Sequence, residues 1–130
     1  MVCLIPNNNI NVFERTDKEW KIITDFISYL NKKIKIPILS NDDLIDMNLF
    51  SGFSLSSNKT NIISLMIDKS IDNGILEDYI KLWNENNFSS SSFPVHNIFQ
   101  FYEFSKDCGG FYILQINTIH DNHFFSKIYG

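Results

Sequence analysis

The sequence predicts a single-domain α+β protein in which a mainly antiparallel sheet packs against about three helices. Three observations carry this expectation. Residues 16–31 and 74–86 keep apolar side chains at three- and four-residue spacing behind helix-start signals. Pro94 to Asp107 is a third, aromatic amphipathic helix that stops at Gly109-Gly110 and runs straight into an apolar strand. The remaining apolar runs are short and rich in Ile and Phe, as strands are. At 130 residues the chain is one domain by size and long enough to bury a core without staples. That core has no alanine and twelve phenylalanines to draw on, so large side chains must fill it.

Taken in order, Val2 to Ile5 reads as a first strand, ended by Pro6 and the Asn7-Asn8-Asn9 turn cluster. Ile10 to Phe13 alternates and can extend that strand or pair with it. Thr16-Asp17-Lys18-Glu19 is a capping box, with Thr16 accepting from the Glu19 amide while Glu19 reaches back. Ile23, Phe26, Ile27 and Leu30 then form the stripe of the first helix, and Lys32 and Lys33 suit its C-terminal dipole. Ile34 to Leu39 contains Pro37, which limits it to an edge strand or an extended connection. Ser40 caps a short helical turn over Asn41–Asn48.

Phe50 to Leu55 and Asn61 to Ile67 flank the polar run Ser56-Ser57-Asn58-Lys59-Thr60, so the pair is read as a β-hairpin. Ile63, Met66 and Ile67 also share a helical face, which is the competing reading of 61–70. Leu76, Tyr79, Ile80 and Trp83 form the stripe of the next helix, with Glu77 and Lys81 paired outward. Ser89 to Ser92 reads as a connector. On the helix after Pro94, Val95, Ile98, Phe101, Tyr102 and Ser105 form the apolar face, widened by Phe99 and Phe104. Phe111 to Ile116 is a buried strand, and Phe124 to Tyr129 a last short one.

Charge separates the function classes better than motifs do. Residues 40–107 hold ten acidic side chains against four basic ones, a local balance of −6. Phosphate backbones need clustered Lys and Arg, so nucleic acid is a poor partner, whereas a basic protein is drawn by long-range attraction. The acids that can form such a surface are Asp72, Glu77, Asp78 and Glu85, with Asp42, Asp43 and Asp46 if the segments adjoin in space. No apolar window is long enough for a membrane span, and the start has no signal-peptide pattern. The expected location is cytoplasmic.

Candidate chemistry is thin. His120 and His123 could share a metal with Cys108 or Asp121, but a structural zinc needs four ligands and a second pair is missing. His96 near a helix start lacks an identified nucleophile or acidic partner. Cys108 lies at a helix C-terminus, where the dipole raises a thiol pKa. Cys3 and Cys108 fit reduced, packed cysteines better than a disulfide framework. There is no phosphate-binding glycine loop, nucleophile elbow or HExxH. No cofactor is expected.

The order Pro94, Phe101, Phe104, Gly109-Gly110, Phe111 resembles a segment of the SUKH group of bacterial immunity proteins, in which a proline precedes an aromatic helix ending in glycines. About twenty residues carry the likeness, and they lie closer to the C-terminus than that group's sheet allows. The wider class of toxin-immunity proteins implies a small, cytoplasmic, non-enzymatic chain, often acidic when its toxin is a basic nuclease. The expected function is therefore a protein-binding module that covers a toxin's active site through an acidic surface. The alternatives are a small enzyme using His96, His120, His123 and Cys108, or a regulatory or structural subunit.

Overall fold

The computed structural model describes residues 1–34, 39–48, 52–86 and 92–116. Within them the chain runs β1 (Val2–Pro6), β2 (Phe13–Arg15), α1 (Asp17–Lys33), α2 (Asn41–Met47), β3 (Phe53–Leu55), α3 (Ser57–Asp72), α4 (Ile75–Asn86), α5 (Val95–Asp107) and β4 (Phe111–Gln115). The strands form one antiparallel sheet in the order β2-β1-β4-β3. The α+β expectation holds. The proposed edge strand at 34–39, the serine connector and the strand at 124–129 fall wholly or mostly outside the described residues, as do His120 and His123.

Side chains directly opposite in adjacent strands share a face of the sheet. Leu4 therefore groups with Phe13 and Ile113, and Phe111 with Leu55. All five are buried in the core, and the rings of Phe13 and Phe111 both meet Phe101 and Phe104 of α5. Trp20 of α1 completes the cluster with an edge contact to Phe101, and its indole Nε1 donates to Met47 O at 2.8 Å. That bond satisfies the one polar atom of a fully buried side chain and ties the end of α2 to α1.

One strand of the expected hairpin is a helix. Residues 61–67 lie inside α3, and the polar run taken for a turn is its first turn, capped by Ser56 Oγ accepting from the Lys59 amide. The buried stripe is Thr60, Ile63, Ser64, Met66, Ile67 and Ser70, a helical period with hydroxyl residues at half its positions. Thr60, Ser64 and Ser70 each donate to the carbonyl three residues earlier, so they enter the core with their protons satisfied. Those hydroxyls disguise the period. The helix count rises to five among the described residues, with α3 packed against α1, α4 and α5.

Two smaller corrections follow from packing. Strand β2 begins at Phe13 rather than ending there, because Arg15 is the clamp that holds it to α5. The Arg15 guanidinium lies 3.9 Å from the Phe13 ring centre, and its Nε donates to Asn97 Oδ1 at 2.5 Å. Phe99, expected on the apolar face of α5, is instead 42% exposed, while Asn97 takes a buried place beside Ile98.

Ser105 is buried on α5, and its Oγ finds no hydrogen-bond partner among the described residues. A buried hydroxyl left unpaired costs about 1–3 kcal/mol. Ser105→Ala is therefore expected to raise the unfolding free energy by about 1 kcal/mol. Urea denaturation reads this directly, and a loss of stability would show that the hydroxyl has a partner.

Candidate functional site

Helix α4 carries three of the seven proposed acidic residues, Glu77, Asp78 and Glu85. Asn73 and Gly74 make the sharp turn out of α3: Gly74 adopts φ +81°, and Asn73 Oδ1 accepts from the Ile75 amide at 3.1 Å. Glu77 and Asp78 occupy the first turn of α4, where the helix dipole favours carboxylates. Only Leu76 is buried on this helix, while Tyr79, Ile80 and Trp83 are half-buried against the core. The adjoining outward side carries Asp78, Leu82 and Glu85 at i, i+4 and i+7, all exposed, with Leu82 at 46%.

The proposed acidic residues divide into three groups. Glu77 pairs with Lys81 at 4.0 Å, a long exposed contact of little energetic value. Asp72, Asp78 and Glu85 are exposed and have no ion-pair partner among the described residues. On α2, Asp42 is exposed and Asp46 half-exposed. Asp43 is the exception and leaves the partner-binding set. It is 6% exposed, closes the capping box with Ser40, and accepts from Lys59 Nζ at 2.7 Å. Its salt bridge fixes α2 beside the start of α3, whereas Asp72 stands at the other end of that helix, about 20 Å along its axis. Asp72 and the acids of α2 thus stand at opposite ends of α3.

Burial alone would lift the Asp43 carboxyl, but the bonds from Lys59 and Ser40 outweigh it and hold its pKa below the ordinary carboxylate value. A depressed folded-state pKa stabilises the protein above the unfolded value and is lost as pH falls through the folded one. Stability is therefore expected to decline on acidification below about pH 4. Asp43→Asn should cost about 1 kcal/mol at pH 7 and flatten that decline. Unfolding measured at pH 7 and pH 3 checks both statements.

The structure also gathers groups that the sequence leaves scattered. Between α1 and α4 lies a half-open cleft of about 220 Å³, lined by Tyr29, Tyr79, Leu82, Trp83 and Asn86. Tyr79 meets Phe26, Tyr29 and Phe93 in edge contacts, and Trp83 meets Phe93. Burial, then the nearby Asp25 carboxylate and Tyr29, push the Tyr79 phenol up to about 12. On α5 the Tyr102 phenol is likewise pushed up to about 12, chiefly by Asp68 of α3 and then by burial, Glu103 and Asp72. Tyr29 and Asp68 carry no local signal of these roles, since only packing of one helix on another creates them.

Of the residues considered for catalysis, the two among the described residues, His96 and Cys108, do not converge. Cys108 is fully buried, and burial raises its thiol above the ordinary value. His96 is exposed at the other end of α5, twelve residues and about 18 Å away. Cys3 is also buried, with its thiol pushed up to about 12 by burial and by Glu14. Among the described residues no three His, Cys, Asp or Glu side chains are grouped to hold a metal ion. No described helix is long and apolar enough to cross a membrane. No protein-family model, curated protein or solved structure matches this chain.

Proposed function

We propose that the chain is a non-catalytic binding module whose acidic surface covers a basic protein, with a toxin domain as the partner class and immunity as the role. The observation that carries this reading is the outward side of α4, where Asp78 and Glu85, without an ion-pair partner among the described residues, bracket exposed Leu82. Unpaired carboxylates steer a cationic partner, and an apolar residue among them supplies contact area once it arrives. Exposed Asp72 extends the same sign of charge at the end of α3. The buried, raised thiols and the 18 Å between His96 and Cys108 give a nucleophilic reading from these two groups little support.

Cytoplasmic residence and a role without cofactor, membrane or nucleic acid belong to the same proposal. Co-expression with the product of the neighbouring gene, followed by co-purification and a toxicity assay, tests it. A basic neighbour that binds and loses toxicity is the expected result. A neighbour that is neither basic nor bound, with no growth protection, overturns it.

A further inference from the structure

Resting on that reading, we infer that the cleft between α1 and α4 is the anchor site for one arginine side chain of the partner protein. Its size is the first reason. At about 220 Å³ it falls below the roughly 300–1,000 Å³ of small-molecule sites, and matches a single large side chain better than a substrate. Its walls are the second. Tyr29, Tyr79 and Trp83 supply aromatic surface, and Leu82 an aliphatic edge. Aromatic rings attract cations electrostatically, and a planar, weakly hydrated guanidinium stacks on them better than an ammonium does.

Charge is the third. Asp78 lies one turn before Leu82 and Glu85 one turn after it, both exposed and without an ion-pair partner among the described residues. Asp25 also lies near enough to act on Tyr79, though Lys21 Nζ pairs with it at 2.6 Å, so Asp78 and Glu85 carry the charge argument. Asn86 Nδ2 donates to Leu82 O at 2.9 Å, which leaves its Oδ1 to accept from a ligand N–H. The chain already shows what such a ring attracts: Lys33 Nζ sits 5.5 Å from the Tyr29 ring centre. Lys33 is then a weak internal competitor for the same surface.

Acetylated tetra-arginine amide is the probe, titrated into isotope-labelled protein while the Trp83 indole N–H resonance is followed. Tetra-lysine and tetra-citrulline, the neutral isostere, are the comparison arms. A saturable shift at Trp83 is expected, with tetra-citrulline binding at least about tenfold more weakly. Asp78→Asn combined with Glu85→Gln, both at exposed positions, should weaken tetra-arginine about three- to tenfold. Lys33→Gln should strengthen it about twofold. An unmoved Trp83 resonance, or equal binding of citrulline or lysine peptides, overturns the arginine anchor. If the neighbouring gene's product still binds in that case, the binding-module reading survives and only the anchor falls. Saturable arginine binding with no captured basic protein does the reverse.

Discussion

Phe101→Ala is expected to lower the unfolding free energy by about 3–5 kcal/mol, enough to unfold a large part of a typical domain of this size. Phe101 is fully buried and its ring touches Phe13 of β2, Trp20 of α1 and Phe111 of β4. One truncation therefore opens a cavity bordered by three elements, and their neighbours cannot all collapse into it. Phe101→Leu keeps most of the volume and should cost about 1–2 kcal/mol. Urea denaturation followed by tryptophan emission measures both. A loss below about 1 kcal/mol for the alanine variant would show that this cluster does not organise the core.

Gly110→Ala should cost about 2–4 kcal/mol through backbone rather than core. Gly110 adopts φ +96°, and an added Cβ would stand 2.7 Å from Leu55 O of β3 and 2.7 Å from Asn7 Nδ2. The carbonyl belongs to a strand that pairs with β4, so it has nowhere to move. Gly109 makes a useful contrast. The atoms nearest a Cβ there belong to the Asn8 side chain, at 2.6 Å, which can move by giving up its exposed hydrogen bond to Asp107 O. Gly109→Ala should cost about 1–2 kcal/mol, mostly for its φ of +67°. Equal losses at the two positions would show that strain of the left-handed backbone, rather than the Leu55 carbonyl, dominates.

The reason for this tightness is the way α5 ends. Asn7 and Asn8 fold onto the glycine turn: their amides donate to the carbonyls of Gly110 and Cys108, and their side chains to those of Gly109 and Asp107. Read as sequence, Asn7-Asn8-Asn9 is only a turn. In the fold its first two residues cap the exposed carbonyls of a helix about a hundred positions away.

Elements with strong local chemistry were legible from the residues. The capping box at Thr16, the cap at Ser40, the stripes of α1 and α4, and the glycine stop after α5 all express short-range rules. Helix α3 was hidden because Thr60, Ser64 and Ser70 break its apolar period while bonding back along their own helix. At the candidate site, α4 and its outward acids were readable, since side and period follow from one helix. The removal of Asp43 was not, because Lys59 reaches it from another element. Nor was the aromatic cleft, which exists only where α1 meets α4.

Strand β1 sits between β2 and β4, and only β2 is close to it in the chain. Its longer pairing waits for residues 111–115, so on the ribosome a synthesis delay separates the first strand from its main neighbour. Such distant contacts give a high contact order and slow closure, while α3 and α4 can fold back on each other as soon as both are made. The helices that carry the proposed contact surface can therefore take shape before the sheet that supports them.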